Sequence, residues 1–244
     1  MRHFFTLLRA ELWRLLINPS TYIAAFLFLL IMGFVFQWIL LDYANDPKEE
    51  SPSLTFFQIF VFPIFFMVPL LTMRSIAEER ASGTIETLMT VPVTATEVIL
   101  SKFCASYAYY ALLWAFTGSF HYLFFSFVQE DSIFDPYPII GGYAFIAISG
   151  TLFLSLGIFS SAMTRSQLVA GIVSFTLVFG FIAIGSNLDE LATLWIAQPI
   201  WVQQLSEHTN VIQHMRDFSS GVIDTRAIVL YLSCSLAFLF LSIL

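Results

Sequence analysis

Six stretches of this chain run without Asp, Glu, Lys or Arg, and charged residues gather between them: 21–41, 54–73, 103–128, 139–163, 168–186 and 227–244. At a rise of 1.5 Å per residue, about 20 residues cross the roughly 30 Å of hydrocarbon in a bilayer, and each run approaches or exceeds that length. An open sheet edge in lipid would leave backbone N–H and C=O groups without partners, so the runs predict helices. The expected fold class is all-α: a polytopic membrane protein with six transmembrane helices. Thr164, Arg165, Ser166 and Gln167 alone separate the fourth run from the fifth, which predicts a tight turn.

The flanks of the runs carry further pattern. Wound at about 100° per residue, the opening MRHFFTLLRAELWRLLINPS gathers Phe4, Phe5, Leu8, Leu12, Leu15 and Leu16 on one arc, with Arg2, Thr6 and Arg9 opposite. This predicts an amphipathic helix over 1–18 lying along the membrane surface, ended by Asn18 and Pro19. Glu11 and Arg14 interrupt it, and no small-residue cleavage site follows, so it does not read as a signal peptide. Between the last two runs, 187–225 is too apolar for a solvated domain; interfacial or re-entrant half-helices are expected there, with Trp195 and Trp201 at headgroup depth and a break at Pro199. In the second run Pro63 and Pro69 predict kinks. Ser149, Gly150, Ser155 and Gly157 in the fourth, with Gly171, Gly180 and Gly185 in the fifth, predict close helix packing.

Composition agrees with the pattern. Of 244 residues 58% are hydrophobic, 28 are Phe, and only 11% are charged, far from soluble usage. A net charge of -7 argues against nucleic acid as a partner. Cys104 and Cys234 lie in apolar runs, so neither a disulfide framework nor a metal cluster is indicated. The basic residues set an orientation. With the N-terminus cytoplasmic, the inner segments hold Arg2, Arg9, Arg14, Arg74, Arg80, Lys102 and Arg165, the outer ones Lys48, Arg216, Arg226 and most of the acids. Both termini are then inside. No basic tail follows Leu244, which leaves truncation open.

One window stands out. Met73 to Phe103 holds Arg74, Glu78, Glu79, Arg80, Glu86, Glu97 and Lys102, and insertion scales charge roughly 2.5–3.5 kcal/mol for each such side chain at the bilayer centre. It is expected as a cytoplasmic loop, 74–102, joining spans two and three. Ile85, Leu88 and Met89 form a short apolar stripe on a helix that Gly83 opens and Pro92 closes. Thr94 and Glu97 form a capping box, with Val93 and Val98 as a hydrophobic staple, so the third helix is expected to start about two turns before the membrane. Surface ion pairs contribute only about 0–1 kcal/mol, so stability does not explain the cluster. A short amphipathic helix held between rigid helices suits recognition in a partner's groove.

The run LTMRSIAEERASGTIETLMTVPVTATEVILSK, Leu71 to Lys102, resembles the hallmark of ABC-2 type transporter permeases, and FSSGVIDTRAIVLYL, Phe218 to Leu232, is similar to the segment entering that family's last span. Within the family the likeness is nearest to the gliding-motility and nitrous-oxide-reductase-maturation permeases. The resemblance implies a pore-forming subunit that pairs with a second copy or a sister permease, each docking a separate ATP-binding subunit. It implies a coupling helix in the loop between spans two and three, braced by the N-terminal surface helix. Glu78, Glu79, Arg80, Gly83, Thr84 and Glu86 are the positions that match. On this reading Gly83 permits the turn, Glu79, Arg80 and Glu86 make polar docking contacts, and Ile85, Leu88 and Met89 seat the helix. Movement of the loop would pass up the kinked second span. No cofactor is expected in this chain, ATP and Mg being bound by the partner, and the expected location is a bacterial cytoplasmic membrane.

Two other classes of protein compete with this reading. An ATP-independent secondary transporter or channel needs ionisable groups within the spans; His121 is the exception there, beside the neutral Gln37 and Gln58. Hydrogen bonding of His121 to a neighbouring helix is the preferred expectation, and His208 and His214 are expected on a solvated surface. An intramembrane enzyme is disfavoured, because Gly83 stands where a paired-glutamate protease pattern wants Arg, and Ala147 spoils a rhomboid-like Gly-x-Ser-Gly. No G-x-x-x-x-G-K-[ST] loop precedes either lysine, Lys48 or Lys102, so hydrolysis of ATP is expected in another chain.

Overall fold

The computed structural model describes residues 3–46, 51–84, 93–127, 136–193, 206 and 208–244. Among the described residues every regular element is an α-helix: α1 Phe4–Ile17, α2 Pro19–Asn45, α3 Pro52–Gln58, α4 Val61–Thr72, α5 Ala77–Ala81, α6 Ala95–Phe127, α7 Pro136–Met163, α8 Gln167–Thr193, α9 Val211–Ser219 and α10 Thr225–Ile243. Six spans are long and apolar enough to cross a membrane, carried by α2, α4 with α5, α6, α7, α8 and α10.

The ends of several helices follow from local chemistry. Asn18 leaves the helical region at ψ 120°, its Oδ1 accepts from the Ser20 N–H at 3.1 Å, and Pro19 takes the first helical position, where a missing N–H costs nothing. At α6, the Glu97 N–H donates to Thr94 Oγ1 at 3.2 Å while the Thr94 N–H donates to Glu97 Oε2 at 3.2 Å, a closed capping box. With 33 residues α6 is roughly 50 Å long, well beyond the hydrocarbon thickness. The link between α7 and α8 is Thr164, Arg165 and Ser166.

The second apolar run, 54–73, departs from the expected single kinked helix. It is divided into α3 and α4 by a break at Ile59 and Phe60. Pro63 has no N–H to give Ile59, and its ring crowds that carbonyl, so the Phe62 N–H takes Ile59 O at 3.1 Å and the Phe60 N–H takes Phe57 O at 3.2 Å. Pro69 sits inside α4 without ending it.

α7 is the hub against which α3, α4, α6, α8, α9 and α10 pack. A Cβ on Gly150 would stand 2.4 Å from the Tyr110 ring of α6, and one on Gly157 would stand 2.3 Å from Thr72 of α4. In α8, Gly185 meets the Thr209 carbonyl in the same way, at 2.4 Å. The other two glycines expected to pack closely differ: a Cβ on Gly180 would meet nothing within 4 Å, and one on Gly171 would make only ordinary contact with Met73. Gly180 instead lines a shallow apolar cavity of about 400 Å³ with Leu156, Leu177, Phe181 and Phe238.

At the end of the bundle away from α1, α9 turns Val211, His214, Met215 and Phe218 inward against α3, α7 and α8. His214 is therefore buried rather than solvated, with Nδ1 3.1 Å from the Tyr231 hydroxyl. His208 is exposed. Trp195, Pro199 and Trp201 lie outside the described residues. His121 is 4% exposed, and its partners differ from expectation. Nδ1 reaches only Thr117 O of its own helix, at 3.4 Å, and Nε2 has no hydrogen-bond partner among the described residues. What neighbouring helices offer it is rings: Phe57 lies parallel at 5.4 Å, and Phe56 meets it edge-on at 4.8 Å.

Candidate functional site

The end of the bundle that carries α1 gathers all the described Lys and Arg residues except Arg216 and Arg226. α1 runs beside the first turns of α6 and buries none of its residues completely. Its side chains Phe5, Trp13, Leu16 and Ile17 face outward. The side turned toward the bundle carries Leu15 together with Glu11 and Arg14.

Those two charges belong to a lattice that joins three distant parts of the chain. Lys102 of α6, its side chain only 2% exposed, places Nζ 2.6 Å from Glu11 Oε1 and 2.6 Å from Glu79 Oε1. Arg14 donates from Nη1 to the same Glu79 oxygen at 3.0 Å and from Nη2 to Glu78 Oε2 at 3.1 Å. A buried ammonium needs opposite charge around it, because desolvation of an unpaired ion costs several kcal/mol. Two carboxylates from two elements supply that charge here. Arg74 stands at the margin, donating from Nη1 to Ser20 Oγ at 3.2 Å. A small cavity of about 30 Å³, room for a water molecule, has Glu11, Arg14, Ser20, Arg74 and Lys102 on its walls beside Leu15, Leu70 and Leu71. The Nε of Arg74 and the Oε2 of Glu79 are buried without a hydrogen-bond partner among the described residues.

α5 is held from the opposite side by α7. Ser161, fully buried, accepts from the N–H groups of Ile76 and Ala77, each at 3.0 Å, and so caps α5 from another helix. Ile76 itself joins Ile99, Ile158, Ala162 and Leu239 in a small apolar cluster. Beyond this anchorage the chain emerges: Arg80, Ser82, Gly83 and Thr84 are exposed, and Gly83 has φ +71°, a conformation that favours glycine.

The sequence-derived site residues thus divide. Glu78 is half-exposed, and Glu79, 15% exposed at its side chain, is turned inward onto Lys102 and Arg14. Arg80, Gly83 and Thr84 lie on the surface. Ile85, Glu86, Leu88, Met89 and Pro92 lie outside the described residues. Sequence reasoning passed over Glu11, Arg14, Lys102 and Ser161. The signal for the first two was present, as a pair of charges three residues apart on the face of a helix otherwise suited to lipid.

Six apolar spans, one of them a glycine-notched hub, with most of the described Lys and Arg residues at one end, define a multi-pass membrane protein that carries no ATPase domain among its described residues. A family model described as ABC-2 family transporter protein matches residues 17–237, and the chain belongs to that family. It is the membrane-spanning permease subunit of an ABC transporter, and membership implies an ABC ATP-binding partner. A comparison with curated protein sequences gives no match.

Proposed function

We propose that two copies of this chain, or this chain and a sister permease, form an exporter whose substrate path lies between them. Each copy is driven by a separate ATP-binding subunit that docks on the segment following α5. The carrying observation is a contrast across a few residues: Ile76 to Glu79 is capped and ion-paired into the bundle, whereas Arg80 to Thr84 stands exposed directly beyond it. A rigid root under an exposed polar tip suits the transmission of a push. Arg80, Gly83 and Thr84, with Ile85, Glu86, Leu88 and Met89 further along, make up the docking surface; Glu78 borders it, and Glu79, expected among the docking contacts, joins that surface to the bundle through Lys102 and Arg14.

The excess of Arg and Lys at the α1 end favours a cytoplasmic placement for that end and for both termini, in a bacterial inner membrane. An exposed stretch of charge at that end is where a soluble ATPase can reach. The test is a charge exchange at the docking surface, Arg80→Glu with Glu86→Arg. Copurification of the ATP-binding subunit and ATP hydrolysis by the complex are expected to fall. If both are untouched, the docking assignment is wrong. Labelling of a cysteine introduced at Ser82 in intact cells checks sidedness: reaction with an impermeant reagent from outside overturns the orientation.

A further inference from the structure

We infer that Lys102 is the positioning residue through which movement of the docking segment enters the bundle, and that α6, not span two, carries it across the membrane. The inference rests on the proposed docking of an ATP-binding subunit. The second apolar run, 54–73, leads into α5 along the chain, and the sequence pointed to it as the lever. It is interrupted at Ile59 and Phe60, so α3 and α4 are separate rods. α6, by contrast, is one helix of 33 residues from Ala95 to Phe127, started by a closed capping box two turns before Lys102.

The lattice supplies the joint between the segment and that rod. Glu79 Oε1 accepts from both Lys102 and Arg14, while Glu11 Oε1 holds the other side of the Lys102 ammonium. Pulling α5 from α6 would leave a cation of 2% exposure with half its counter-charge gone, and pulling α1 away would do the same from the other direction. α1, α5 and the root of α6 therefore move together. Glu79, the shared acceptor, lies one residue before the exposed tip at Arg80. A displacement of the tip reaches Lys102 through a single ion pair and reaches the far end of α6 without another joint.

The experiment uses the full chain with its ATP-binding subunit in lipid nanodiscs, with Cys104 and Cys234 replaced by alanine. Spin labels at Leu123→Cys, exposed at the far end of α6, and Val222→Cys, exposed beyond α9, report the distance between those points by pulsed electron paramagnetic resonance. ATP is expected to shift that distance in the otherwise unaltered chain and in Lys102→Arg, which keeps the cation. The triple variant Glu11→Gln, Glu79→Gln, Lys102→Met buries no unpaired charge. It keeps Arg80 to Thr84 intact and is expected to copurify with the ATPase, yet to lose the shift. A purely structural role would leave the shift intact wherever the complex assembles.

A triple variant with the full shift overturns the inference, as does an unaltered chain that assembles but shows no shift. Should the triple variant fail to fold, a glycine inserted between Ile59 and Phe60 decides: a retained shift supports passage through α6, and a lost shift overturns it. A chain that captures no ATP-binding subunit at all refutes the functional reading beneath it, an outcome distinct from every one of these.

Discussion

Replacing Gly150 by alanine tests whether the hub of the fold is set by a notch in α7. The Cβ would stand 2.4 Å from Tyr110 Cε1 and 2.9 Å from Cζ, and the ring cannot swing aside freely. Tyr110 is fully buried, its hydroxyl donates to Ile146 O at 3.3 Å, and Trp114 lies edge-on to it. Overpacking of this kind costs about 1–3 kcal/mol, the strained hydrogen bond adds about 0.5–1.5, and the helical preference for alanine over glycine returns about 1. The net expectation is a loss of about 1–3 kcal/mol. Truncating the ring instead, Tyr110→Ala, empties the notch at a cost of about 3–5 kcal/mol. In that background Gly150→Ala meets no ring and is neutral or slightly stabilising, so the two substitutions are coupled by about 2–4 kcal/mol. Reversible unfolding in mixed micelles, titrated with a denaturing detergent across the four chains of the cycle, measures this. Equal effects of Gly150→Ala with and without the Tyr110 ring would refute the reasoning.

Three further outcomes are expected. Lys102→Met alone removes the ammonium between Glu11 and Glu79, leaving Arg14 as the remaining cation beside them, and lowers unfolding stability by about 3–5 kcal/mol, most of which returns when Glu11→Gln and Glu79→Gln are added; the same titration reads both, and no recovery counts against the lattice. Ser161→Ala removes the acceptor for the Ile76 and Ala77 N–H groups, costs about 0.5–2 kcal/mol, and raises hydrogen exchange at those two amides, whose unchanged protection would contradict the cap. His121→Phe removes an unsatisfied buried Nε2 from among Phe36, Phe56 and Phe57 and raises stability by up to about 1–3 kcal/mol; a loss in thermal unfolding would mean that Nε2 has a partner.

What could be read from residues alone was whatever local chemistry decides. The six spans follow from apolar length, the elbow at Asn18 and Pro19 from a cap and an imino acid, and the start of α6 from the Thr94 and Glu97 box. Pro63 announced a disturbance in span two, but a kink and a break have the same cause and differ in how neighbouring helices take up the freed groups. Gly180 and Gly150 look alike in a list of small residues; only the arrival of Tyr110 beside one of them separates their roles. The lattice was hidden for a related reason. Glu11 and Lys102 are 91 positions apart, and their meeting depends on how α1 folds back along α6. His214 was misread because its burial comes from the docking of α9 as a whole, not from its own neighbours in sequence.

The three residues that join α7 to α8 have a consequence for biogenesis. Two long apolar helices tied by so short a link leave almost no polar chain between them to be solvated, which favours their entering the bilayer together. Insertion as a hairpin is expected, and in the proposed orientation the charge of Arg165 keeps its tip on the side of synthesis. The central scaffold of the molecule and one of its outer walls are then delivered in a single event, and the last crossing arrives to find its main packing surface already in place.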